Sequence, residues 1–205
     1  MVNERVKEFL VSNNLGDRLT EHTETIDTVE HAAQQIGCTE PEIAKTLKIS
    51  ELTPDYDLAL ADLIRVNLKK HHLDIPGTVY FDDNLNHLSD FYLADQARRY
   101  YYVVTDDSDK LIGGIGLAKF EFFKDCCELQ KLYLSDGVKG VGLSYKLISL
   151  IEDKAKDLGY KRMYLETHDN LAAAIHVYEK CGYKEIEKPA GVVHATMNRF
   201  FIKEL

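Results

Sequence analysis

The spacing of apolar residues changes period near residue 47. Before that point it is helical. Val6, Phe9 and Leu10 form one stripe that stops near Asn14-Leu15-Gly16, and Val29, Ala32, Ala33 and Ile36 form a second that ends at Gly37. Pro41 opens a short third helix carrying Ile43, Ala44 and Leu47. From Lys48 the pattern predicts a short strand through Leu52, then a helix from Thr53-Pro54 to about Lys70 with Leu58, Ala61, Leu63, Ile64 and Leu68 as its apolar residues. Residues 71–98 are rich in turn signals such as Ile75-Pro76-Gly77, with one helix near Asn86 to Gln96.

Beyond residue 98 the alternation is that of strands. Tyr100 to Thr105 and Lys110 to Lys119 flank the polar turn Asp106-Asp107-Ser108-Asp109, which predicts a hairpin. Cys126 to Leu134 is a third strand and feeds a loop bearing Gly137, Gly140 and Gly142. A helix from about Val141 to Leu158 follows, with Leu147, Ile148, Ile151 and Ala155 on one face. Arg162 to Thr167 is another strand. Asp169 is the expected cap of a helix running to Tyr178 and ended by Gly182, and two last strands lie near Lys184–Glu187 and Thr196–Ile202. The expected organisation is an N-terminal helical appendage over residues 1–47 and an α/β domain over 48–205.

Composition narrows the function classes. With 45% hydrophobic and 29% charged residues, the 205-residue chain has the make-up of a soluble globular protein. No apolar run approaches the ~18 residues of a membrane span, and Met1-Val2-Asn3-Glu4-Arg5 lacks the order of a signal peptide, so a cytoplasmic location is expected. The net charge of −9 argues against a nucleic-acid partner, whose affinity rests on Lys and Arg displacing counterions. Cys38, Cys126, Cys127 and Cys181 lack metal-ligand spacing, so free thiols and no metal site are expected.

The junction around Gly137 to Ser144 carries the chemistry. A helix starting there offers unpaired N–H groups and the positive end of its dipole to a pyrophosphate, and glycine at 140 and 142 lets an anion reach the backbone. The spacing fits neither the P-loop nor the dinucleotide fingerprint. Further on, Tyr178 follows Leu171 and Ile175 on one helix face, which periodicity reads as a core position. Glu128 shares an expected strand face with Gln130 and Leu132 and is a candidate base, with His168 and His194 as alternatives.

The run Gly137-Val138-Lys139-Gly140-Val141-Gly142 resembles the R/Q-x-x-G-x-G/A signature of the GNAT acetyltransferases, with Gly137 where Arg or Gln is usual. Asn170 with Tyr178 eight residues on is similar to the second signature of that family, and Glu128-Leu-Gln-Lys-Leu-Tyr133-Leu and Pro76-Gly-Thr-Val-Tyr-Phe81 resemble segments of one of its branches. The resemblance covers about residues 48–205. It implies an acyl-CoA N-acyltransferase fold, a mixed, mostly antiparallel sheet flanked by helices and splayed at its fourth and fifth strands, with acetyl-CoA as cosubstrate and a primary amine as acceptor. It also implies roles. Main-chain groups of Leu132, Tyr133 and Leu134 would hold the pantetheine arm, and Val138, Lys139, Gly140, Val141, Gly142, Leu143 and Ser144 the pyrophosphate. Asn170 would touch the arm from the far side, and Tyr178 would protonate the departing thiolate.

Residues 4–48 resemble a different family, the opening of YbaK/ProX-type aminoacyl-tRNA deacylase domains, through Arg5-Val-Lys-Glu-Phe-Leu, Thr28-Val-Glu-His-Ala-Ala33 and Ile43-Ala-Lys45-Thr-Leu47. The remainder of such a domain is absent. A helical cap on the acyltransferase or a homodimer contact is the expected role. Two alternatives to catalysis stand beside the acetyltransferase reading: an acyl-CoA sensor without turnover, and an aminoacyl-tRNA binder or editor built on residues 1–47.

Overall fold

A computed structural model describes residues 47–138, 140–192 and 196–205. The three N-terminal helices expected from sequence, the YbaK/ProX-like stretch, Cys38, Lys139 and His194 lie outside these residues.

Seven strands form one sheet: β1 (Lys48–Glu51), β2 (Tyr100–Thr105), β3 (Leu111–Lys119), β4 (Cys126–Leu134), β5 (Arg162–Thr167), β6 (Lys184–Ile186) and β7 (Arg199–Glu204). Their order is β1-β2-β3-β4-β5-β7-β6, and every neighbouring pair is antiparallel except β4 with β5. The β2–β3 hairpin turns where the Asp106 carboxylate accepts from the N–H groups of Ser108 and Lys110, at 2.9 and 3.0 Å. Helices cover both faces, which makes the fold α/β.

On one face lie α1 (Asp57–Lys70) and α2 (Leu88–Leu93). Leu60, Ile64 and Leu68 of α1 recur at helical spacing and are buried against Tyr92, Tyr101 and Val103. Burying each such side chain contributes about 1.5–3 kcal/mol. A buried polar tie joins the two helices: Ser89 donates to the Asp57 carboxylate from its N–H at 2.8 Å and from its hydroxyl at 2.5 Å.

The opposite face carries α3 (Leu143–Asp157) and α4 (Ala172–Lys180). Leu147, Ile148 and Ile151 of α3 and Ile175 and Tyr178 of α4 pack with Leu117, Cys127, Leu165 and Phe201 of the sheet. Cys126 points the other way, into a small cluster with Phe120, Tyr164 and Phe200, as strand alternation requires of adjacent residues.

Three local expectations are corrected. The second expected helix is shorter, Leu88–Leu93, because the 3-10 turns Val79–Phe81 and Leu85–His87 occupy the turn-rich stretch before it. The helix after the glycine loop starts at Leu143 rather than Val141, with left-handed Gly142 as its cap. The turn that leads into α4 is capped by His168, whose Nδ1 accepts from the Asn170 N–H at 3.1 Å, not by Asp169.

Candidate functional site

The site begins where strand pairing ends. Parallel β4 and β5 are in register only at Cys126↔Arg162, Cys127↔Met163 and Glu128↔Tyr164. Beyond Glu128 the two strands part, so the β4 edge from Leu129 to Leu134 presents main-chain N–H and C=O groups with no β5 partner. Such unpaired groups are obligatory hydrogen-bonding groups and are available to a ligand lying in the gap.

A bulge in β4 accompanies the parting. Gly116 pairs with Gln130 and Gly114 with Tyr133, so Lys131 and Leu132 of β4 lie opposite Ile115 alone, and Lys131 has a φ of 51°. The extra residue reverses the alternation of everything after it. Leu132 therefore packs with the α3 side of the sheet while Tyr133 turns to the α1 side. This corrects the expected shared face of Glu128, Gln130 and Leu132, since Leu132 is on the opposite side.

Tyr101 anchors the bulge. Its phenol donates to the Lys131 carbonyl at 2.8 Å, and its ring lies flat on β3, where a Cβ on Gly116 would fall 2.3 Å from a ring carbon. Glycine is thus required at 116 by close approach of the ring.

The gap opens into a cleft of about 460 Å³. One wall is β4, from Leu129 and Lys131 to Leu134, and the other comprises Glu166 and Thr167 of β5 and Val177 and Tyr178 of α4. Gly140 and Ser144 close one end, and Asn67, Lys70 and His71 at the C-terminal end of α1 overlook it. Gly140 has a φ of 85° and open space where a side chain would be, and Gly142, at 75°, precedes the first turn of α3. The loop therefore presents backbone amides and the positive end of a helix dipole to the cleft. Gly137 is exposed with nothing near its missing side chain, while Lys70 reaches the same loop and pairs with Asp136 at 2.8 Å.

Tyr178 is buried among Tyr183 and Phe201 yet forms part of the cleft wall. Burial pushes its phenol well above the usual value, which keeps the proton on the oxygen at neutral pH. The core position read from periodicity is thus compatible with a place in the cleft wall. Asn170 is placed differently. Its side-chain amide donates to the His71 carbonyl at 2.9 Å, tying the start of α4 to the end of α1 across the cleft mouth, and its neighbour Leu171 lines the cleft.

Glu128 is half-buried beside the point where β4 and β5 part, but it is not in the cleft wall. Gln130 donates to its carboxylate at 2.6 Å, and the Tyr92 phenol donates to Gln130 at 3.0 Å. The carboxylate that lines the cleft is Glu166, which accepts from the Tyr164 phenol at 3.2 Å. Sequence reasoning missed Glu166 and Lys131. Alternation shows that Glu166 shares a face with Tyr164 but not that the partner strand has left that face bare. Lys131 reaches the cleft through the bulge, for which the sequence carries no local signal.

The three described cysteines, Cys126, Cys127 and Cys181, do not line the cleft. Burial pushes the thiols of Cys126 and Cys181 up to about 11, and that of Cys127 higher, so none is a thiolate at neutral pH. Among the described residues, no cluster of three metal-ligating side chains occurs, and no helix is long and apolar enough to cross a membrane.

An α/β domain with a free strand edge, a glycine loop at a helix N-terminus and a buried tyrosine around one cleft is built to hold a long ligand with an anionic end. The comparisons agree on its class. Residues 66–183 match the Acetyltransferase (GNAT) family. The uncharacterized N-acetyltransferase YjgM of Escherichia coli (strain K12) is 34% identical over 142 residues, which cover 68% of this chain and 83% of the relative. Among solved structures, a GNAT-family acetyltransferase of Staphylococcus aureus Mu50 superposes with a TM-score of 0.67 at 21% identity, covering 78% of this chain and 99% of that one. The PaiA N-acetyltransferase of Thermoplasma acidophilum, solved in complex with coenzyme A, gives 0.62 at 17% identity over 78% and 99%. The chain belongs to the GNAT acetyltransferase family and is an acyltransferase.

Proposed function

We propose that residues 48–205 form an N-acetyltransferase that moves the acetyl group of acetyl-CoA to a primary amine of a small molecule or peptide, by direct transfer. The observation that carries this reading is the cleft between β4 and β5, with a free main-chain edge along one wall and the glycine loop at its end. The pantetheine arm lies along Leu132, Tyr133 and Leu134 and completes the ladder that β5 abandons. The pyrophosphate sits on the amides of Val138 to Ser144, where the helix dipole favours negative charge. Asn170 flanks the arm from the far wall once its bond to His71 gives way.

Chemistry follows from this placement. The acceptor ammonium gives its proton to Glu128, which stands outside the cleft wall beside the parting of β4 and β5 and is reached through an intervening water. The amine nitrogen attacks the thioester carbonyl, and main-chain N–H groups of β4 stabilise the oxyanion. The C–N bond forms, the C–S bond breaks, the CoA thiolate takes the proton of Tyr178, and the second proton of the attacking nitrogen is lost to solvent water, from which the Tyr178 phenolate regains its own. Burial keeps the phenol protonated but also makes it a weaker acid, so the step draws on the basicity of the departing thiolate.

Tyr178→Phe tests the assignment in a thiol-release assay with acetyl-CoA and a panel of amines. The expected result is a fall in kcat of roughly a hundredfold or more, the low end of general acid catalysis, with little change in calorimetric affinity for acetyl-CoA. An unchanged kcat removes the acid role. Binding of acetyl-CoA without thiol release for any amine would instead identify a sensor.

A further inference from the structure

The head of the cleft, beyond the stretch assigned to the pantetheine arm, carries charges of both signs. Lys131 stands there on the bulge with its main-chain carbonyl fixed by Tyr101, and its side chain lines the cleft. Among the described residues its ammonium has no hydrogen-bond or ion-pair partner. The carboxylates whose charges reach it are Asp82 and Glu128, and burial lowers its basicity below the usual lysine range. A partly buried cation without a partner is costly, and on the wall of a ligand cleft the natural way to offset that cost is an anion brought by the ligand.

Coenzyme A does not supply this anion. Its phosphates belong at Gly140 and Ser144, past Leu132, Tyr133 and Leu134, which is about 10 Å of strand away. The pantetheine between is uncharged. The anion must then arrive with the acceptor. The acceptor also brings an amine, whose charge is complemented by Glu166 on the facing wall, while Glu128 and Asp82, within electrostatic reach of Lys131, add to the negative field around it. A polyamine would set a second cation against Lys131. A polyanion would face three carboxylates. A molecule with one charge of each sign matches the site.

We propose that Lys131 binds the carboxylate of the acceptor, and that the acceptor is a free amino acid or a similar zwitterion. This rests on the acetyl-transfer reading of the cleft.

The test is thiol release from acetyl-CoA with the common amino acids, their carboxamides and linear polyamines, using wild type, Lys131→Met and Lys131→Arg. Binding of acetyl-CoA is measured separately by calorimetry. In wild type, at least one amino acid is expected to exceed its carboxamide by roughly tenfold or more in kcat/KM, about the value of one charge-assisted contact. Lys131→Met should raise KM for that amino acid more than it lowers kcat and abolish the preference over the carboxamide, while Lys131→Arg keeps the preference. Acetyl-CoA affinity should be the same in all three proteins, which also shows that they are folded. Carboxamides or polyamines used as well as amino acids would overturn the proposal. So would a preference that survives Lys131→Met, or acetyl-CoA binding with no amino acid acetylated. Failure of wild type to bind acetyl-CoA would strike the transfer reading itself, a distinct result.

Discussion

Gly137→Arg isolates the contribution of the glycine loop to cosubstrate binding. No atom lies within 4 Å of the position a Cβ would take at Gly137, its φ is not left-handed, and the residue is exposed, so the substitution has no steric cost in the folded protein. In the proposed placement the loop meets the pyrophosphate with main-chain amides, and Lys70, which reaches the loop, is held by Asp136. An added guanidinium can fork onto a phosphate. Such a bond reaches about 1.5–3 kcal/mol when sheltered but only about 0.2–1 kcal/mol when exposed. At this exposure about 1 kcal/mol is the appropriate figure, which is roughly a fivefold gain in affinity. Calorimetric titration with acetyl-CoA at low and moderate salt should show that gain, shrinking as screening rises. Acetyl-pantetheine, which lacks the pyrophosphate, should bind wild type and variant alike. An equal gain with acetyl-pantetheine, or no gain with acetyl-CoA at low salt, would mean that the pyrophosphate does not lie on this loop.

Two further predictions concern the scaffold of the site. Gly116→Ala drives a Cβ to 2.3 Å from the buried Tyr101 ring and 3.0 Å from the Tyr92 hydroxyl, so it should cost about 1–3 kcal/mol of stability and weaken acetyl-CoA binding by loosening the bulge. Thermal melts and calorimetry check both effects, and a variant as stable as wild type would show that the Tyr101 ring is not fixed there. Alkaline pH should destabilise the fold. Cys126 and Cys181 have an ordinary value of 9.0 that burial raises to about 11, so between those values the native state holds protons that the unfolded chain has lost. The protons bound by the unfolded chain are then fewer, and the slope of stability with pH is negative, at most about 1.4 kcal/mol per pH unit for each thiol. The melting temperature should hold below pH 9 and fall from pH 9 to 11, and a flat profile in which both thiols alkylate rapidly at pH 8 would refute their burial.

What the sequence made legible follows the range of the interaction involved. The limits of β2, β4 and β5 coincide with the expected strands Tyr100 to Thr105, Cys126 to Leu134 and Arg162 to Thr167, because alternation and polar turns are local signals. The turn at glycines 140 and 142 was readable for the same reason, since both adopt the left-handed backbone that glycine permits. The features that give the cleft its chemistry depend instead on distant partners. Lys131 is turned into the cleft by a bulge that Tyr101 holds across β3 from β2, 30 residues away in sequence. The Asn170 amide is taken by His71, 99 residues away. Glu166 gains a ligand-facing role only because β4 leaves β5 after Glu128.

The splay and the bulge are linked physically, and this explains why one inserted residue matters so much here. A bulge bends its strand and increases the local twist. In β4 the bend lies three residues past the last pair with β5, so the strand that must hold a ligand is the one that turns away from its neighbour. Beside the bulge Leu132 packs, half-buried, against the core on the α3 side, and Lys131 is left to the cleft, which gives its head a positive charge. Deleting Lys131 would set Leu132 alone opposite Ile115, leave it on the same face as Leu129 and take the bulge, with its bend, out of β4. The bend beside the opening of the cleft and the cation at its head come from the same inserted residue, so the proposed cosubstrate and acceptor sites would share one structural origin.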